Sequence, residues 1–139
     1  MAGPPKSYLT FRVARRDLAI EASQVRAILP LSDLIPVPRA RPGIIGVVRI
    51  AGRIANVVDA RARLQLPPWR RGKQRKIVVL SQAEHRAAFI ADRVCDVVRY
   101  ADRSLHRGML RGEGRNRTLV HFDQIVKDSD FAEIWAVIP

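Results

Sequence analysis

The chain has 139 residues, the size of one ordinary domain, and 47% of them are apolar, so a core can form without disulfides or a structural metal. The single cysteine, Cys95, excludes an internal disulfide, and no apolar run approaches the ~18 residues that a membrane span needs. We therefore expect one folded domain in the cytoplasm, without membrane insertion. The formal net charge of +12 keeps nucleic acid open as a class of partner.

The first 43 residues predict a hairpin, a short helix and an irregular connection. Apolar residues alternate with polar ones from Tyr8, and the polar sequence ARRD separates this run from LAI, which is typical of two short strands. Residues 21–30 have apolar side chains at helical spacing and end at Pro30, which predicts one short helix. Three prolines in residues 31–43 then favour extended, unpaired backbone.

The remaining elements are mostly short strands. Ile44–Ile50 and Ile54–Val58 flank a tight turn and predict a second hairpin. The basic sequence WRRGKQRK predicts an exposed loop over residues 67–76, and strand-length runs follow at KIVVLSQ, RAAFIAD, VCDVVRY and RTLVHFDQIV. Seven or eight short strands with little helix indicate an all-β barrel or sandwich.

The sequence of the C-terminal tail, residues 128–139, predicts a final turn or two of helix. Its apolar side chains return to a period of about 3.6 residues, with Phe131, Ile134, Trp135 and Ile138 on one side. This side either packs against the core or binds a partner.

The stretch from Leu34 to Leu64 resembles the central block of CheW-like chemotaxis adaptor domains. It reads LIPVPRARPGIIGVVRIAGRIANVVDARARL: a proline-rich connection, a GV-strand, a glycine turn, a strand ending VVD, and a basic-apolar exit. The resemblance extends over residues 8–127, through the Val-x-x-Ile pattern upstream and the D-x-V-x-x-V-V pattern from Asp92 downstream. It implies two small five-stranded β-barrels side by side with one short helix, the first holding about residues 14–76 and the second residues 8–13 and 77–127.

The resemblance also implies a function. CheW-like adaptors bridge the cytoplasmic tip of a methyl-accepting chemoreceptor to the regulatory domain of a CheA-type histidine kinase, or to another CheW-like protein, within chemosensory clusters. By this resemblance, receptor binding falls on Val25, Ile28, Val94 and Val97. The kinase-facing surface falls on Ala27, Gly46, Arg49, Ala51, Gly52 and Arg53.

Two departures from the family pattern concern the kinase-facing elements. The family usually has Asn-Leu-Arg-Gly where this chain has Arg49-Ile50-Ala51-Gly52, and Ala27 replaces a common acidic residue. The segment between Tyr100 and Leu119 is shorter than usual, so the second barrel is expected to be incomplete. These departures favour a divergent adaptor that binds a receptor but couples weakly or not at all to the kinase. Full coupling of receptor to kinase is the alternative.

The sequence offers no catalytic or metal constellation, so we expect no enzyme activity and no cofactor. His85, His106 and His121 have no partners at metal-ligand spacing. The alternative from another class is a basic β-barrel that binds nucleic acid, in which the WRRGKQRK loop tracks phosphates together with Arg103, Arg107, Arg111, Arg115 and Arg117. Aromatic residues are only 6% of the chain, and Trp69 alone lies beside that loop. The arginines are equally suited to acidic protein surfaces.

Overall fold

The computed structural model describes residues 5–37, 43–67, 74–82, 85–101, 105–106, 108–112, 115–127 and 130. Within these ranges the strands are β1 Lys6–Val13, β2 Arg16–Glu21, β3 Val25–Pro30, β4 Ile44–Ile50, β5 Arg53–Val58, β6 Lys76–Gln82, β7 His85–Ala91, β8 Arg93–Tyr100, β9 Leu105–His106, β10 Met109–Gly112 and β11 Arg115–Leu119. The short helices are α1 Ala60–Arg63 and α2 Phe122–Ile125, and 3₁₀ turns lie at Ala22–Gln24 and Leu31–Asp33. The predicted tail helix lies outside the described residues.

The strands form two sheets. One has six strands in the order β8-β1-β2-β11-β10-β9, and the other has five in the order β3-β6-β7-β5-β4. Each contains one parallel pair, β2 with β11 and β5 with β7, among antiparallel neighbours. The all-β architecture is therefore confirmed, although in the described part of the chain neither sheet closes into a full barrel by strand pairing. None of the described helices is long and apolar enough to span a membrane.

The division of the strands between the two sheets does not follow the expected boundary at residue 76. The β2 strand joins the six-stranded sheet, because a two-residue turn pairs it directly with β1. The β6–β7 hairpin joins the five-stranded sheet, where β6 pairs with β3 and β7 pairs with β5. The segment between Tyr100 and Leu119, shorter than the family usually has, carries β9 and β10. These strands extend the sheet to six strands, and the sheet is not closed into a barrel by strand pairing among the described residues.

Each sheet buries one face in a shared core and the other in a core of its own. The shared core joins residues of both sheets, and the rings of Phe11 and Phe89 meet there with centroids 5.1 Å apart. Four consecutive residues of β6, Ile77–Leu80, are fully buried, two toward the shared core and two toward the five-stranded sheet's own cluster. Because strands covered on both faces need no polar alternation, β6 reads as a continuous apolar run.

The prediction of a helix over residues 21–30 is wrong. The chain there makes a 3₁₀ turn at Ala22–Gln24 and then the strand β3, which pairs with β6. The register shifts between Val25 and Ala27, so β3 contains a β-bulge. Val25 opposes Leu80 and Ile28 opposes Val78, and both partners belong to the shared core. The bulge therefore puts two residues three positions apart on one face of a strand, which imitates helical spacing.

Two hairpins turn through residues with positive φ. Ala14 and Arg15 join β1 to β2 with φ of 48° and 67°, and Ala51 and Gly52 join β4 to β5 with φ of 48° and 75°. Positive φ at both central residues is the requirement of the type I′ turn, which matches the twist of the strands. Alanine is strained in this conformation because of its Cβ.

Replacing Ala51 with asparagine should therefore raise the free energy of unfolding by about 0.5–1 kcal/mol, because asparagine tolerates the left-handed region better than alanine. Urea unfolding measures the change. Ala51→Val is the matched comparison, and we expect it to destabilise the protein because a β-branched side chain fits this backbone worst. Equal stabilities for the three proteins would contradict strain at the turn.

A buried ion pair attaches the chain after α2 to α1. Arg63 donates from Nη1 to Asp130 Oδ2 at 2.7 Å and from Nη2 to Asp130 Oδ1 at 2.8 Å, and it also donates to the Ile125 carbonyl. Asn56 donates to the backbone carbonyl of Asp130. Burial alone raises the pKa of the Asp130 carboxyl, but the hydrogen bonds from Arg63 and the Lys127 backbone N–H outweigh burial and hold that pKa below its ordinary value.

Candidate docking groove between two edge strands

An open groove runs between the edges of the two sheets. β3 is the outer strand of the five-stranded sheet and β8 is the outer strand of the six-stranded sheet. The groove, with a volume of about 520 Å³, is lined by Ile28, Gln74, Lys76, Arg93 and Val94. Its walls thus come from both sheets: Ile28 lies on β3, Lys76 begins the neighbouring β6, and Arg93 and Val94 lie on β8. Of these strands, β3 and β8 have no second neighbour among the described residues.

The β8 strand presents its valines to this side through a β-bulge. Val94 opposes Phe11 and Val97 opposes Leu9, so two residues of β8 face the single residue Thr10 between them. The buried Thr10 hydroxyl donates to the Asp96 carbonyl at 3.0 Å and accepts from the Asp96 N–H at 3.0 Å. This side chain satisfies backbone groups that the bulge removes from the strand ladder. Val94 and Val97 consequently share the face of β8 that continues the shared core.

The four residues that the resemblance assigns to receptor binding thus occupy equivalent positions on two bulged edge strands. Val25 and Val94 are half-buried and pack against the shared core. Ile28 is 43% exposed and Val97 is 63% exposed, among the most exposed large apolar residues described. The structure brings Ile28 and Val94 into one groove, while Val25 and Val97 lie three positions further along the same faces.

The residues expected to face a kinase fall in different environments. Arg49, Ala51, Gly52 and Arg53 are all exposed at the β4–β5 hairpin. Ala27, on β3, is half-buried and packs with the hairpin residue Ile50 against the cluster inside the five-stranded sheet.

Gly46, also expected on the kinase-facing surface, is buried. A Cβ built there would lie 2.5 Å from the Ile35 carbonyl oxygen and 2.9 Å from Leu34 Cδ1. The Leu34–Ile35 segment crosses directly over this glycine, and Ile35 exchanges backbone hydrogen bonds with Val47 at 2.8 and 2.9 Å. Gly46 therefore permits a close approach of two backbones and is not itself a contact surface.

A second cavity, of about 360 Å³, was not predicted from the sequence. Its charged lining consists of Asp59, Arg61, Arg75 and Asp92, and its apolar lining of Val13, Ile45, Ala60 and Ile90. Both carboxylates have structural partners. Asp59 accepts from Arg61 at 3.2 Å and from the α1 N–H of Ala62, and Asp92 accepts from the N–H of Ala14 at 2.6 Å. Burial raises the pKa of Asp92, and the Ala14 hydrogen bond opposes that rise.

The basic residues considered for phosphate binding are only partly described. Trp69, Arg103 and Arg107 lie outside the described residues, whereas Arg111 is exposed and Arg117 donates to the Tyr100 hydroxyl at 2.6 Å. Across the described ranges, no group of three His, Cys, Asp or Glu side chains is arranged to hold a metal ion.

Most of the chain matches one known family of domains. The CheW-like domain family matches residues 7–128. This chain belongs to the CheW-like family. It is 25% identical over 132 residues to the chemotaxis protein CheW of Thermotoga maritima, covering 86% of this chain and 87% of that protein. It is 28% identical over 125 residues to the chemotaxis protein CheW of Bacillus subtilis, covering 88% and 77%.

A solved CheW structure shares the fold. The crystal structure of the scaffolding protein TtCheW from Thermoanaerobacter tengcongensis matches with a TM-score of 0.77 at 16% identity, covering 91% of each chain. The CheW-like fold expected from the Leu34–Leu64 block is therefore confirmed.

Proposed function

We propose that this CheW-like protein is a non-catalytic scaffold of a chemosensory signalling array, and that it binds the cytoplasmic tip of a methyl-accepting chemoreceptor in the groove between β3 and β8. The relatives named chemotaxis protein CheW support the pathway. The observation that carries the site is the pair of bulged edge strands, which hold Ile28 and Val97 exposed beside the shared core. This role locates the protein at the cytoplasmic side of receptor clusters.

An adaptor needs exposed aliphatic side chains on a rigid support. Water contact with Ile28 and Val97 is unfavourable, and a partner's apolar side chains relieve it on docking. Val25 and Val94, three positions away on the same strand faces, are fixed by packing against the core, so the docking surface is preorganised. Calorimetry that compares the binding of a receptor cytoplasmic fragment to the unaltered chain and to the Val97→Glu variant tests this role.

We propose in addition that coupling to the histidine kinase is weak. The arginine that the family usually carries in the β4–β5 hairpin is Ala51 here, at the exposed tip of the turn. An alanine offers neither the charge nor the donor fork with which arginine binds a carboxylate. Arg49 and Arg53 are exposed on either side of Ala51, and full coupling would have to depend on them.

Restoring the arginine tests this part of the proposal. Ala51→Arg should strengthen binding to the regulatory domain of a CheA-type kinase by about tenfold, the effect of one good charge-assisted contact. Ala51→Met is the control, because it adds length without charge, and we expect it to change the affinity less than about twofold. Pull-down and calorimetry without receptor give the readout. If the unaltered chain already binds the kinase as tightly as the Bacillus subtilis relative does, weak coupling is wrong.

A further inference from the structure

The groove between β3 and β8 combines an apolar floor with positive charge. Lys76 and Arg93 are exposed and line it together with Ile28 and Val94. Among the described residues that line this groove, the remaining member is the neutral Gln74, and none is acidic. A partner seated here therefore meets two cations beside two aliphatic side chains.

We propose that the receptor segment bound in this groove is amphipathic and acidic, with Asp or Glu residues flanking its apolar stripe. The proposal rests on the proposed function and specifies the chemistry of the partner. The apolar stripe covers Ile28 and Val94, and the flanking carboxylates reach Lys76 and Arg93 at the rim. Opposite charges placed in this way fix the register of docking and accelerate encounter.

Two physical considerations favour an acidic partner over a neutral or basic one. First, docking removes water from Lys76 and Arg93, which is unfavourable unless the partner supplies acceptors for their N–H groups. Second, the formal net charge of +12 attracts an acidic segment before contact and repels a basic one. An apolar stripe with uncharged flanks would gain only the contacts with the groove floor.

Charge reversal at the rim tests the proposal with a chemoreceptor cytoplasmic hairpin fragment as the probe. Lys76→Glu and Arg93→Glu should each weaken its binding by about tenfold at low salt, because an attraction becomes a repulsion. Arg111→Glu is the matched control. It makes the same charge change on an exposed residue of β10, which three strands separate from β8. We expect it to weaken binding less than about twofold.

The salt dependence of binding, and a receptor fragment without its acidic side chains, complete the test. Binding of the unaltered chain should weaken as salt rises, and a fragment whose flanking Asp and Glu are replaced by Asn and Gln should bind weakly and with little salt dependence. Lys76→Gln and Arg93→Gln serve as milder variants if a reversal disturbs folding, which circular dichroism reports.

The outcomes separate this inference from the proposed function. Equal losses in all three reversal variants would show that the attraction is not located at Lys76 and Arg93, and binding that ignores salt would show that the flanks of the bound segment are not acidic. Either result would overturn this inference without contradicting receptor binding. Failure of the unaltered chain to bind the fragment at all would overturn the receptor-binding function together with this inference.

Discussion

Replacing Asp130 with alanine is expected to lower the free energy of unfolding by about 3–5 kcal/mol, because the change leaves the buried Arg63 guanidinium without its carboxylate. The two side chains are only 2% and 10% exposed, and they meet through two hydrogen bonds of 2.7 and 2.8 Å. Without its carboxylate, the guanidinium keeps its desolvation penalty and loses the compensating charge, although it retains the hydrogen bond to the Ile125 carbonyl. Urea unfolding followed by circular dichroism measures the loss.

The control is an exposed pair in the same protein. Lys6 and Glu21 lie 3.4 Å apart with side chains 55% and 36% exposed, and Glu21→Gln should change stability by about 0.5 kcal/mol or less. If Asp130→Ala costs no more than Glu21→Gln, then Arg63 finds water or other acceptors, and the ion pair does not anchor the chain after α2.

The same carboxylate should make stability depend on acid. Because the pKa of folded Asp130 lies below its ordinary value, the ionised form is favoured by folding. The contribution of Asp130 to the free energy of unfolding is therefore fully present above the unfolded pKa of about 3.9. It is lost as pH falls through the lower pKa of the folded protein. Asp130→Asn should flatten the stability curve in this acid window. Asp92 affects stability in the opposite sense. Its pKa is raised in the folded protein, so its contribution to the free energy of unfolding is lost as pH rises through that folded pKa.

Local pattern predicted the hairpins of this protein but not β3. The turns at Ala14-Arg15 and Ala51-Gly52 are two residues long and flanked by strand-like runs, so pairing follows from neighbours in sequence. In β3, by contrast, the spacing of Val25 and Ile28 indicated a helix. The strand forms because residues 76–80, far along the chain, offer a partner, and the bulge then aligns both side chains with the core. Tertiary pairing overrides a short periodic signal.

Long-range contacts explain the other limits of the sequence. Arg63 and Asp130 are separated by 67 positions, and nothing local marks them as a pair. Gly46 belonged to a recognisable block, yet its burial beneath Ile35 depends on how the proline-rich connection crosses β4. The four residues assigned to receptor binding were named from resemblance alone. The structure adds a physical reason for their three-residue spacing: a bulge in each edge strand.

Val97 is the best position at which to test docking because folding depends on it least. It is 63% exposed, whereas Val25 and Val94 pack against the shared core. A charge at Val25 would therefore disturb both stability and binding, and the two effects would be difficult to separate. At Val97 the main chain pairs with Leu9 whatever the side chain is, so the strand should persist.

Val97→Glu should weaken binding of a chemoreceptor cytoplasmic fragment at least thirtyfold, roughly the effect of losing one central interface anchor, because docking must then desolvate a carboxylate against an apolar surface. Ile45→Glu is the control. Ile45 is 37% exposed on β4, at the opposite edge of its sheet from β3, so the same charge there should alter affinity less than about twofold. Calorimetry gives the affinities, and thermal unfolding confirms that both variants fold. Should Val97→Glu bind like the unaltered chain while Ile45→Glu fails, the receptor site belongs on the β4 side of the molecule, and the groove between β3 and β8 must serve another partner.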